Sequence, residues 1–154
     1  RARTTGSYGA VFSVFLAQKL AGKPLTVVGD GTQTRDFTFV SDIVNALVMT
    51  VESEVTGEIM NIGTGVPHSV NEIVALLGGK VTHLPKRPGE PDCTQADIAK
   101  IQKLVGWRVE TQFEKGVEIL LEHIEMWRDA PVWTESSIEK ATENWFRFLG
   151  RSET

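Results

Sequence analysis

Apolar positions along this chain follow two periods, one helical and one alternating. Val11, Phe12, Phe15, Leu16 and Leu20 fall at helical spacing and predict a helix from Ser7 or Tyr8 to about Ala21, stopped by Gly22 and Pro24. Leu25 to Val28 reads as a short strand before a turn at Gly29-Asp30-Gly31. Thr34 to Val40 alternates Phe37 and Phe39 against Asp36 and Thr38, the pattern of a strand with one apolar face. Ser41 is placed as an N-cap with Asp42 in the first turn of a helix to about Val51, with Ile43, Ala46, Leu47 and Thr50 on its inner face. Glu58 to Ile62 is a predicted strand ending in Gly63-Thr64-Gly65. Ser69-Val70-Asn71-Glu72 is a capping box that opens a helix through Ile73, Val74, Leu76 and Leu77 to Gly78-Gly79. Lys80 to Leu84 is a further strand. Pro85 to Asp92, with three prolines and a glycine, is a loop. Ala96 to Val105 is helical, with Ile98, Ile101 and Leu104 on one side and Gly106 as the stop. Thr111-Gln112-Phe113-Glu114 is a second capping box, and its helix runs to about Asp129 through Val117, Leu120, Leu121, Ile124 and Trp127 until Pro131 breaks it. A last helix spans Ser136 to Leu149, with Ile138, Ala141, Trp145 and Phe148 or Leu149 inward. Helices alternating with short strands indicate an α/β or α+β chain, with strands too few and short for a complete doubly wound sheet.

Composition narrows the function classes. The 154 residues fit one domain, and 41% hydrophobic residues suffice for a core. The net charge is −4 and the basic residues are dispersed, so no nucleic-acid partner is expected. No apolar run approaches the ~18 residues of a membrane span, and the N-terminus has no secretory pattern. Cys93 is alone, which excludes a disulfide framework and a cysteine-based metal site and points to a reducing, cytoplasmic home. The opening Arg1-Ala2-Arg3-Thr4-Thr5-Gly6-Ser7 reads as the interior of a longer protein, so the chain is expected to be a fragment.

The candidate chemistry is anion binding. Arg35, just past a two-glycine turn, is placed to grip a phosphate bidentately, or to form an ordinary ion pair with a carboxylate. Pro85 to Asp92 presents Lys86 and Arg87 beside Glu90, cations for a diphosphate and an acceptor for ribose hydroxyls; an ordinary solvated loop is the plainer reading. Asn61 to Gly65 is read as close packing more readily than as a phosphate cradle. Ser69 is a cap rather than a nucleophile. His68, His83 and His123 lack metal-ligand spacing, and His123 is a helix-face residue. Trp127, Trp133 and Trp145 read as packing of the last two helices, with a stacking platform as the sharper alternative. No Tyr-x-x-x-Lys pair and no Gly-rich dinucleotide fingerprint occur in the chain.

These motifs form an ordered set. Lys23 to Gly31 leads into Thr34-Arg35-Asp36-Phe37, then Val40 and Asp42. Asn61 to Gly65 follows, with Ser69-Val70 and Glu72-Ile73, then Arg87-Pro88-Gly89-Glu90, Thr94, Ala96-Asp97 and Gly106-Trp107. Over roughly Ala10 to Gly116 the set resembles the C-terminal half of the extended short-chain dehydrogenase/reductases that act on nucleotide sugars, the UDP-glucose 4-epimerase-like group above all. The resemblance implies an α/β substrate domain of a Rossmann-type enzyme, residues 1–128, with the N-terminal Rossmann part absent and a helical tail at 129–154. It implies that Arg35 and Arg87 hold the diphosphate, that Glu90 bonds the ribose, and that backbone groups of Thr26 and Val28 border the base. Asn61 to Gly65 would pack back against the Rossmann part. NAD would be bound by the missing N-terminal domain, the substrate would be a nucleotide sugar (a UDP-sugar first), and the full-length enzyme would be a homodimer. The fragment would then be the substrate-binding half of a 4-epimerase or dehydratase, inactive alone. A non-catalytic nucleotide-sugar binding module and a helical interaction module built on the Trp-rich tail are the alternatives. Glu90 stands where many relatives carry Asp, and Val28 where an aromatic residue often borders the base.

Overall fold

The computed structural model describes residues 10–150. Its elements run α1 (Val11–Leu20), β1 (Leu25–Val28), β2 (Thr34–Arg35), α2 (Val40–Glu52), β3 (His68–Ser69), α3 (Val70–Leu77), β4 (Val81–Leu84), β5 (Cys93–Thr94), α4 (Ala99–Val105), α5 (Phe113–Glu122), a 3₁₀ turn (Ile124–Trp127) and α6 (Glu135–Leu149). The predicted first turn at Ser7 and Tyr8 lies outside the described residues. Two small sheets result. β1 pairs in parallel with β4, Leu25 opposite Val81 and Val28 opposite Leu84. β2 is the centre of the second sheet, antiparallel to β3 and parallel to β5, so that Arg35 lies between His68 and Thr94.

The main core gathers Val14, Phe15 and Leu16 of α1, Leu25 and Val27 of β1, Val70, Ile73 and Leu77 of α3, with Val117 and Trp127 closing it. Helix α1 is buried over six consecutive residues, Ser13 to Gln18, rather than along one stripe, because β1 and the Trp127 turn enclose it. Phe12, Phe37 and Phe113 form an aromatic wedge, and His68 stacks on Phe113 with ring centroids 4.0 Å apart. A second cluster holds Ala46, Ile101 and Trp107, whose indole N–H donates to the Asp42 carbonyl at 3.2 Å.

Several predicted details are corrected. The strand through Val40 is only the two residues Thr34 and Arg35, because the Asp36 carboxylate turns away to bind another segment. Phe39, not Ser41, occupies the N-cap of α2, and no side chain caps it. The predicted strand Glu58 to Ile62 forms no ladder among the described residues; Met60 and Ile62 pack on the Trp107 cluster while Ile59 is 88% exposed. The helix predicted from Ala96 starts at Ala99. The second capping box does not form, because the Thr111 hydroxyl and amide both donate to the buried Asp42 carboxylate, at 3.3 and 3.1 Å. The long helix expected to reach Asp129 breaks at His123. Leu47 of α2 faces solvent, as do Phe148 and Leu149, which lie beyond the end of the core; Thr142 is buried in their stead. The Ser69–Glu72 capping box is present in both directions, as expected.

Candidate functional site

The site is built outward from β1. The amides of Leu25 and Gly29 donate to the carbonyls of Lys80, just before β4, and of Leu84 at its end, so Thr26 and Val28 direct their backbone groups to the opposite edge. Two glutamines meet that edge. Gln18, wholly buried on α1, accepts from the Thr26 amide at 3.1 Å and donates to the Thr26 hydroxyl at 2.9 Å and to the Trp133 carbonyl at 2.8 Å. Gln33 donates to the Val28 carbonyl at 2.8 Å. A buried amide side chain engaged in this way ties helix, strand and tail into one wall.

The turn after β1 aims the arginine. Gly31 has φ +78°, and a Cβ there would collide with Asn71 Oδ1. Asn71 holds the turn by donating from its side chain to the Asp30 carbonyl and from its amide to the Gly31 carbonyl, both at 3.0 Å. The chain then enters β2, where Arg35 donates to Glu90 Oε1 at 3.3 Å. Glu90 comes from the Pro85–Asp92 loop, which Gly89 bends at φ +73° and the Lys86–Asp92 ion pair closes at 2.6 Å. Its other oxygen lies 3.6 Å from Arg87 Nη1, and Arg87 is only 2% exposed. One carboxylate therefore serves two guanidinium groups, and the trio keeps a net positive charge. The ion-pair reading of Arg35 is what the structure shows, and its carboxylate is another of the expected site residues.

Thr26, Val28, Arg35 and Glu90 line one cavity of about 330 Å³. Arg87 stands behind Glu90 and borders a neighbouring cavity of about 580 Å³ between the β4 end and α6. Gln33 and Ile138 also line the first cavity and were not anticipated as site residues, nor was Gln18 behind them; Trp133, read first as packing, lines it as well. Gln18 carries a visible signal, a polar residue four positions after Val14 on the apolar face of α1. The tail residues carry none.

The Asn61–Gly65 turn is a packing device, as its plainer reading held. The Asp36 carboxylate accepts from the Thr64 amide (2.7 Å) and hydroxyl (2.6 Å), the Gly65 amide (2.9 Å) and the Ala96 amide (3.1 Å). Burial pushes the Asp36 pKa up, but these hydrogen bonds together outweigh it and hold the carboxyl below its ordinary range. The Thr64 and Gly65 amides are thus committed to a side chain of the fold itself. Cys93 is exposed, and among the described residues no group of His, Cys, Asp and Glu could hold a metal ion. Among the same residues no helix is long and apolar enough to cross a membrane.

Known proteins share this architecture. The family model described as GDP-mannose 4,6 dehydratase matches residues 8–120. UDP-glucuronic acid decarboxylase 1 of Xenopus tropicalis is 36% identical over 115 residues, which are 71% of this chain and 27% of that protein. The UDP-glucuronic acid 4-epimerase of Bacillus cereus, solved with UDP-glucuronic acid and NAD, superposes with a TM-score of 0.71 at 34% identity, over 76% of this chain and 40% of the other. The UDP-glucose 4-epimerase of Thermotoga maritima, solved with UDP-glucose, gives 0.72 at 26% identity, over 82% and 43%. The chain spans less than half the length of each of these relatives. With more than two thirds of its residues matched, the chain belongs to the family of NAD-dependent nucleotide-sugar epimerases and dehydratases, the extended short-chain dehydrogenase/reductases.

Proposed function

We propose that residues 1–128 form the nucleotide-sugar-binding part of an NAD-dependent nucleotide-sugar 4-epimerase or dehydratase, with a UDP-sugar as substrate, and that the chain is inactive alone. The observation that carries this reading is the shared cavity of Thr26, Val28, Arg35 and Glu90, with Arg87 behind it. The β1 edge borders the base, where the Thr26 carbonyl accepts and the Val28 amide donates. Arg35 and Arg87 take the diphosphate. On binding, Arg35 exchanges Glu90 for a phosphate oxygen and frees the carboxylate to accept from ribose hydroxyls. Arg35 stays paired throughout, and the bidentate geometry of its contact with the phosphate sets specificity. Binding energy collected so far from the sugar then positions the reacting carbon.

The residues present do not fit NAD. The Gly29–Gly31 turn leads into β2 rather than a helix, and the Thr64 and Gly65 amides are held by Asp36, so neither offers a cradle for a dinucleotide phosphate. No step of hydride chemistry is assigned to this chain. Two features support a missing Rossmann part: the ladder-free 58–62 segment, and the outer face of α2, where Val40, Val44, Leu47, Val48 and Val51 are exposed at helical spacing. Arg35→Ala in the intact enzyme is expected to raise the Michaelis constant for the nucleotide sugar at least tenfold, from loss of a charge-assisted contact worth ~1.5–3 kcal/mol. An unchanged constant would sink the assignment.

A further inference from the structure

Helix α6 lies beyond the matched residues 8–120, yet it builds against the site loop. The Trp145 indole N–H donates to the Pro88 carbonyl at 2.8 Å, across 57 residues of sequence. Its ring faces Arg87, with the guanidinium carbon 5.6 Å from the ring centroid. One turn further on, Leu149 approaches Gly89, and a Cβ on that glycine would stand 3.8 Å from Leu149 Cδ1. The indole is thus pinned to the backbone one residue past Arg87 while its face lies against the Arg87 side chain.

A guanidinium that is 2% exposed has lost most of its hydration, and Glu90 is shared with Arg35. An aromatic face compensates a cation without neutralising it. With the indole pinned to the Pro88 carbonyl and its face against the Arg87 side chain, the position of the guanidinium is set before an anion arrives.

We propose that Trp145 is a positioning residue, holding the Arg87 guanidinium in place for the diphosphate of a nucleotide sugar, so that Trp145 sets diphosphate affinity without touching the sugar or the base. This rests on the nucleotide-sugar reading of the site.

The test compares Trp145→Leu, which fills space without a π face, with Trp145→Phe, which keeps one. Both are made in the intact enzyme, alone and with Arg87→Ala. UDP and uridine are titrated against each, UDP by calorimetry and uridine by NMR. Trp145→Leu is expected to weaken UDP at least fivefold and leave uridine within twofold; Trp145→Phe stays within threefold of wild type for UDP. In the Arg87→Ala background Trp145→Leu adds no further loss, because the interaction it removes is already gone. Equal loss of UDP and uridine, equal loss in the Leu and Phe variants, or unchanged UDP binding in Trp145→Leu each overturn the proposal while leaving the nucleotide-sugar reading intact. Wild-type enzyme that does not bind UDP overturns that reading, and this proposal with it.

Discussion

Asp36→Asn is a sharp probe of how this fold is held, because it changes one atom and a charge while keeping the shape. The aspartate oxygens accept from four donors, the Thr64 amide and hydroxyl on one and the Gly65 and Ala96 amides on the other. Asparagine has one acceptor oxygen. Its best orientation keeps that oxygen toward Gly65 and Ala96 and lets the Thr64 hydroxyl turn to accept, which leaves the Thr64 amide facing an NH₂ group. An orphaned donor costs about 1–3 kcal/mol, and the two surviving bonds lose their charge assistance. At this half-buried site the sum is about 2–3 kcal/mol. Equilibrium urea unfolding of the 154-residue chain at pH 7 measures it, and a chain of this size should melt about 4–12 °C lower. The pH dependence supplies a second check. The folded pKa lies below the ordinary 3.8, so the stabilisation by the carboxylate is complete above that value and is lost as pH falls through the lowered folded pKa. The gap between wild type and variant therefore narrows only below about pH 3.8. A variant within 0.5 kcal/mol (about a twofold change in equilibrium constant) at pH 7 would refute the four-donor account.

Two further expectations concern the turns. Glu72 closes the α3 capping box, and hydrogen bonds from the Ser69 amide, His68 and the Ser69 hydroxyl lower its pKa from 4.5 to about 2. Its contribution is present above pH 4.5 and lost as pH falls toward 2, so Glu72→Gln should flatten the acid limb of the stability curve between those values in a pH series of thermal melts. At Gly63 a Cβ would meet the Ala96 Cβ and lie 2.7 Å from Asp36 Oδ2, so Gly63→Ala should destabilise by at least ~2 kcal/mol. Gly57→Ala meets only a positive φ in open space and should lose about 1 kcal/mol; equal melting temperatures for the two variants would contradict this.

What could be read from the sequence was local. The Ser69–Glu72 box, the stop at Gly106 and the existence of helices α1, α3 and α6 rest on residues within one or two turns of each other, and all appear in the structure. The errors arise where a distant partner outbids a near one. Thr111 has a local capping role open to it, but the Asp42 carboxylate, 69 residues away, takes its hydroxyl. Strands β3 and β5 are two residues long and exist only because β2 passes between them, so no periodicity marks them. The same holds at the site. Arg35, Arg87 and Glu90 were legible as motif residues, and the structure places them on one carboxylate. Gln18 reaches the tail across 115 residues, a contact that no window of sequence contains.

The two small sheets also bear on how the site comes into being. Each ladder joins strands remote in sequence, and the Arg35–Glu90 contact itself closes a separation of 55 residues. Helices α1, α3 and α6 can nucleate locally in microseconds, whereas these pairings wait for long loops to close and are the slow part of folding. A two-residue ladder is also the easiest to open again. A nucleotide bridging Arg35 to the Glu90 loop would therefore act on the molecule as a latch, tying together two segments 55 residues apart in sequence.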